Sequence, residues 1–137
     1  MAVSRRLRLA IAVVAGGLAF ALPASGQRAP LSMLDRLERG RWELRMRDAA
    51  GTVQAVCLGD SRRLIQLRHP QNSCERFIVD DTTDDVTVQY TCRGKGYGRT
   101  HIRRETSRLV QIETQGIADG LPFNFVAEGR RVGDCPA

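Results

Sequence analysis

The chain has 137 residues and a formal net charge of +6, from 21 basic and 15 acidic side chains, and 42% of its residues are hydrophobic. This size suits a single small domain. The first 26 residues contain three arginines and no acidic residue, so the remaining chain carries 18 basic and 15 acidic residues, an excess too small to favour nucleic acid as a partner.

The N-terminal 26 residues have the pattern of a secretory signal peptide. The three arginines precede an apolar run from Leu9 to Leu22, and Ala24-Ser25-Gly26 places small residues just before Gln27. The run has 14 residues, fewer than the roughly 20 that a membrane-spanning helix needs. We therefore predict cleavage near Gly26/Gln27, a periplasmic or secreted mature domain of residues 27–137, and no stable membrane insertion after cleavage.

The predicted elements begin with a short helix or helical turn in "LSMLDRLERG", where Ser32 and Asp35 have capping-box spacing. "RWELRMR" alternates apolar and charged residues and predicts a half-buried strand, and "TVQAVCL" predicts its hairpin partner. "DSRRLIQLRHP" predicts a helical insertion with Asp60 as N-cap and Pro70 as terminator.

From Cys74 onward the pattern predicts strands alone. "ERFIVD" and the segment Val86–Cys92 flank the turn "DTTD", and three strands follow in "RTHIRRET", "RLVQIETQG" and "FNFVAEGRRV". The chain is therefore predicted to be mostly β, an antiparallel meander of about seven strands with one or two short helices. Such a meander would curl into a half-barrel or small barrel.

All four cysteines lie in the predicted mature domain, at Cys57, Cys74, Cys92 and Cys135. An even number in an oxidising compartment predicts disulfides, and the gaps of 17, 18 and 43 residues lack the C-x-x-C pairs common in zinc sites. Four cysteines allow three pairings, and the sequence does not choose between them. We favour Cys57–Cys74 with Cys92–Cys135, because the first pair encloses a single connection, and we predict no metal and no cofactor.

"YTCRGKGYGR" is the segment most similar to a phosphate-binding loop, with Gly94, Gly96 and Gly98 among basic residues. A phosphate loop requires a helix after its glycines, whereas these glycines lie between two predicted strands. We therefore predict a glycine turn in a hairpin. The acidic segment "VDDTTDDV" has two interpretations, a calcium site or a solvated hairpin, and it lacks the EF-hand spacing, which favours the hairpin.

Catalytic residues are scarce in this sequence. The only histidines are His69, in a loop before Pro70, and His101, and no G-x-S-x-G motif occurs. We predict a protein that is not an enzyme. A basic surface is predicted instead, which could contact an anionic lipid, a glycan or an acidic partner, although a solvated sheet edge would explain the same charges. Its residues are Arg99, Arg103, Arg104 and Arg108.

Four landmarks resemble one family of secreted, cysteine-containing bacterial proteins, the domain of unknown function family 3617. They are "GRWELRMR", "CLGD" at Cys57, "YTC" at Cys92 and "GRRVGDC" ending at Cys135. The resemblance covers about Arg39 to Cys135, although the strands here are richer in arginine than those of the family. It implies a single-domain protein of the Gram-negative envelope, without an established activity or site residues.

These observations predict a non-catalytic binding or interaction module of the cell envelope, with an unknown envelope ligand or protein as partner. One alternative is a small β-barrel inhibitor of an envelope hydrolase such as lysozyme, acting through the hairpin 93–99. Another is a hydrolase that uses His101 with a distant acid.

Overall fold

The computed structural model describes residues 30–48, 50–70 and 73–137. The predicted signal peptide lies outside these ranges. Two short 3₁₀ turns occur in them, the first at Leu34–Arg36 and the second at Ser61–Gln66. The strands are β1 (Gly40–Met46), β2 (Val53–Leu58), β3 (Cys74–Asp81), β4 (Asp85–Cys92), β5 (Gly96–Thr106), β6 (Leu109–Ala118) and β7 (Leu121–Gly133).

The strands form one open antiparallel sheet in the order β2-β1-β7-β6-β5-β4-β3. The prediction of a mostly β fold with about seven antiparallel strands is therefore confirmed. Consecutive hairpins run from β3 to β7, and the hairpin β1–β2 then joins the sheet beside β7. This long-range pairing makes β2 and β3 the two edges of the sheet.

One face of the sheet, here called the inner face, is apolar and is covered by the two 3₁₀ turns. Strand alternation places every second residue on this face. The hydroxyl of Thr100 on β5 donates to the carbonyl oxygen of Ile65, at 2.6 Å, and so fixes the second 3₁₀ turn above the sheet. The largest fully buried side chains include Trp42, Leu44, Tyr90, Ile102 and Ile112 from the strands, with Met33, Leu34, Leu64 and Ile65 above them.

The two helical predictions differ from the structure in form. The first segment is a single 3₁₀ turn preceded by Met33 and has no side-chain cap, so the predicted capping box of Ser32 does not form. Asp35 instead binds Arg62, at 2.7 Å. The second segment has the predicted N-cap, because Asp60 Oδ1 accepts a hydrogen bond from the backbone N–H of Arg62 at 2.9 Å.

Two disulfides join the cysteines, Cys57–Cys135 and Cys74–Cys92, with Cα atoms 5.6 and 4.2 Å apart. All four cysteines are bonded as predicted, but the favoured pairing is wrong. Cys74 lies directly opposite Cys92 in the β3–β4 hairpin. Cys57 lies near the end of β7, because Arg41 of β1 pairs with Cys57 on one side and with Gly133 on the other.

The predicted glycine turn is shorter than expected. The turn itself spans residues 93–95, and β5 already begins at Gly96, so two of the three glycines lie within a strand. Gly98 is required by packing, since a Cβ atom there would lie 2.5 Å from the hydroxyl oxygen of Tyr90. In the described residues no helix is long and apolar enough to cross a membrane.

Candidate functional site

The face opposite the core, here called the outer face, is polar and holds two adjacent depressions. Their volumes are about 410 and 330 Å³, and both are lined by Arg99, Gln115 and Asn124. The larger depression also touches Gln89 and Tyr97. These side chains lie on β4 to β7, at the alternate positions whose side chains point away from the core.

Four outer-face side chains form a continuous row across four strands. Gln89 of β4 pairs with Arg99 of β5, Arg99 with Gln115 of β6, and Gln115 with Asn124 of β7. All four are exposed. We call this set the amide row. Side chains directly opposite each other in adjacent strands lie about 5 Å apart, so one ligand can contact several of them.

Arg99 is the charged residue of the amide row. Its guanidinium forms no ion pair and no side-chain hydrogen bond with another described residue. The group is a planar cation that offers five N–H donors. The centre of the row is therefore a positive charge that no carboxylate in the described part of the chain compensates.

Tyr97 and its neighbours border the row on one side. Tyr97 is half exposed and pairs with Ile117 of β6, which in turn pairs with Pro122 of β7. The neighbouring positions are thus partly apolar, whereas the row itself is polar. A ligand placed here would meet an aromatic ring beside hydrogen-bonding groups, an arrangement typical of small-molecule sites.

His101 and Asp85 lie on the other side of the row. His101 Nε2 is 3.0 Å from Asp85 Oδ1, so the acid partner is on the adjacent strand and only 16 residues away in sequence. None of the serines at 32, 61, 73 and 107 lies on β4, β5 or β6, and all cysteines are in disulfides. The pair resembles two members of a nucleophilic triad, and among the residues of these three strands only threonine could supply an aliphatic hydroxyl as the nucleophile.

The structure does not bring the four predicted arginines together. Arg103 pairs with Glu105 at 3.0 Å, and Arg108 lies 3.7 Å from a carboxylate oxygen of Glu38. Arg104 turns to the inner side of β5 and binds Asp84. Only Arg99 of the predicted basic surface remains without a carboxylate partner in the described residues.

Aspartates of the acidic segment "VDDTTDDV" bind separate partners. Asp81 Oδ2 accepts a hydrogen bond from the backbone N–H of Leu31 at 2.7 Å, while Asp84 and Asp85 bind Arg104 and His101. Within the described ranges, no group of three or more histidine, cysteine or acidic side chains could hold a metal ion. These contacts support the interpretation of the segment as a hairpin.

His69 forms a buried contact that the sequence did not indicate. Its Nε2 lies 3.1 Å from the carbonyl oxygen of Lys95, and its Nδ1 lies 3.1 Å from the hydroxyl of Tyr90. A carbonyl oxygen only accepts, so Nε2 donates to Lys95. Burial raises the pKa of Tyr90 to about 12. The pair connects the segment after the second 3₁₀ turn to the sheet.

The segment 93–99 has a different form from the projecting hairpin of the inhibitor hypothesis. Its turn has the three residues 93–95, and the remainder belongs to β5. Little of it extends beyond the sheet, so this structure gives the inhibitor hypothesis no added support.

Comparison with known proteins gives one match. A family model described as "Protein of unknown function (DUF3617)" matches residues 37–135, the region in which the sequence landmarks occur. No curated protein and no solved structure matches the chain significantly. The two disulfides indicate an oxidising, extracytoplasmic location.

Proposed function

The chain belongs to the DUF3617 family, and we propose that it is a non-catalytic binding module of the periplasm. Its ligand is an anionic glycan of the cell envelope, held at the amide row on the outer face. The observation that carries this proposal is the guanidinium of Arg99, which has no carboxylate partner among the described residues and lies between the amide side chains of Gln89 and Gln115.

The chemistry of the amide row suits a hydroxyl-rich ligand with a negative charge. The side-chain amides of glutamine and asparagine each donate and accept hydrogen bonds, as hydroxyl groups do. Arg99 can hold a carboxylate or phosphate with two parallel hydrogen bonds. Tyr97, half exposed beside the row, offers a flat apolar surface for the less polar face of a sugar ring.

The sequence and the disulfides support the compartment. The signal-peptide pattern of residues 1–26 favours export, and stable disulfides need an oxidising environment. Mass spectrometry of the protein recovered from the periplasm of its own host tests this part. We expect the mass of residues 27–137 less four hydrogens, and a retained N-terminus or free thiols would contradict it.

Binding is tested with two soluble probes, acidic peptidoglycan fragments and neutral oligosaccharides of equal length. We expect the acidic probe to bind more tightly. The variant Arg99→Ala should weaken its binding roughly tenfold or more, the effect of losing one charge-assisted contact. Arg103→Ala is the matched control. It removes the same charge from the same face of β5, but Arg103 already pairs with Glu105.

Three results would contradict the proposed function. Equal binding of both probes would exclude a charge-dependent site, and equal effects of the two variants would exclude Arg99 as its centre. A demonstrated turnover of any substrate by the purified protein would overturn the non-catalytic part.

A further inference from the structure

Both edges of the sheet border one cavity on the inner side, of about 150 Å³. β2 contributes Gln54 and Val56 and β3 contributes Arg76, while Arg63, Gln66, Leu67 and Pro70 come from the second 3₁₀ turn and the residues after it. We call this space the edge cavity. It is smaller than the roughly 300–1,000 Å³ of pockets that enclose a drug-sized ligand. It is therefore suited to one side chain rather than to a whole small molecule.

The β3 edge offers unpaired backbone groups beside this cavity. In antiparallel pairs, residues whose Cα atoms are about 4.5 Å apart do not exchange hydrogen bonds. The Cα atoms of Cys74 and Cys92 are 4.2 Å apart, so by alternation Arg76 and Ile78 also direct their N–H and C=O groups away from β4. No described strand pairs with β3 on that side. A register shift between Ile78 and Asp80 ends the regular stretch.

Two cations of the edge cavity lack carboxylate partners in the described residues. Arg63 donates to the carbonyl oxygen of Cys57 at 3.0 Å, and Arg76 donates through two nitrogens to Gln66 Oε1 at 3.2 and 2.8 Å. Their acceptors are neutral. Arg62, in the same 3₁₀ turn as Arg63, binds the carboxylate of Asp35. No carboxylate of the described residues therefore compensates the positive charge at the cavity, which favours an acidic occupant.

The exposed apolar side chains of β3 add surface for a partner. Phe77 is 70% exposed, Ile78 37% and Val79 41%. An edge strand with exposed apolar residues and free backbone groups is the usual acceptor for an added strand. The disulfide to Cys92 holds this strand on β4, so the edge is preorganised for pairing.

We propose that the β3 edge binds an extended acidic segment of a partner protein, which adds to the sheet as an eighth strand. The segment would run antiparallel to β3 and pair with the free groups of Arg76 and Ile78. One of its carboxylates would meet Arg76 and Arg63, and an apolar side chain would enter the edge cavity. In a sheet of seven antiparallel strands, the two edge strands β2 and β3 run in the same direction. The added segment would therefore be antiparallel to both edges. The site is separate from the amide row.

The probe for this surface is a displayed library of random short peptides, selected against the full, folded protein. We expect enriched peptides to combine an acidic residue with alternating apolar residues. Arg76→Glu should weaken binding of a labelled enriched peptide roughly tenfold or more. Arg45→Glu makes the same charge change at an exposed position of β1, outside the edge cavity, and should leave binding unchanged.

Ile78→Pro tests the backbone pairing separately from the charge. The backbone N–H of Ile78 faces away from β4. Proline at this position therefore removes a hydrogen-bond donor to the partner segment but no hydrogen bond within the sheet. We expect peptide binding to be lost while the far-ultraviolet circular dichroism is kept. The proposal is overturned if no peptide is enriched, if enriched peptides lack acidic residues, or if Arg76→Glu binds normally. A dimer in sedimentation that Ile78→Pro abolishes would assign the edge to a second copy and overturn it too.

Discussion

The two faces of β4 and β5 use alternate residues of the same strands in opposite ways. On the inner face, the buried polar groups of Thr100 and Tyr90 have partners within the fold. Arg99 and Gln89 are the neighbours of Thr100 and Tyr90 along the two strands, and they lie on the outer face. Arg99 has no side-chain partner in the described residues, and Gln89 is exposed beside it. The inner face therefore supplies stability, and the outer face has polar groups that remain available to a ligand.

The largest expected effect is a difference in the free energy of unfolding between two variants, one at an inner-face and one at an outer-face residue of β5. Ile102 is fully buried on the inner face, and Ile102→Ala should lower the free energy of unfolding by about 2–5 kcal/mol through lost contacts and a cavity. Arg103→Ala, on the outer face, should cost less than about 1 kcal/mol, since its pair with Glu105 is exposed. Denaturant unfolding measures both. Similar losses would remove the distinction between the faces.

A second prediction concerns pH and the inner-face Tyr90. Burial raises the pKa of Tyr90 to about 12 in the folded chain, above the usual value of about 10. Between these values the unfolded chain has lost the proton that the folded chain keeps, so stability falls as the pH rises, by about 1.4 kcal/mol per pH unit. Below pH 10 the contribution is fully present.

Two tyrosine variants separate this effect from other alkaline changes. Tyr90→Phe should abolish the fall in unfolding free energy between pH 10 and 12. Tyr97→Phe, on the outer face, should keep it, and it leaves Tyr90 as the only tyrosine for a spectroscopic titration. A fall that persists in Tyr90→Phe would show that another group causes it.

The strands were predictable because a sheet with one solvated face alternates apolar and polar residues, as "RWELRMR" does in β1. The disulfide pairing was also within reach of the sequence. The sequence predicts a turn at "DTTD", and Cys74 and Cys92 lie nine residues on either side of Thr83 within it. A hairpin centred there places the two cysteines opposite each other. The favoured pairing rests on the single connection between Cys57 and Cys74 and leaves strand register out of account.

The amide row and the edge cavity could not be predicted in the same way. The alternation of β5 puts Arg99 and Arg103 on one face, but it does not show that Arg103 binds Glu105 while Arg99 has no carboxylate partner among the described residues. Asn124 joins the row only through the β6–β7 register. The position of β1 beside β7 is a contact between distant parts of the chain, and the local pattern contains no signal for it.

The smallest effect is expected at Arg99, and it is the most informative for function. Arg99→Ala should change the free energy of unfolding by less than about 0.5 kcal/mol, because the guanidinium has no described partner to lose. Arg104→Ala is the matched control on the same strand, since it breaks a partly buried pair with Asp84 and should cost about 1 kcal/mol. Denaturant unfolding again compares the two. A loss at Arg99 as large as that at Arg104 would show that the amide row stabilises the fold, and the charge at its centre would then need no ligand to explain it.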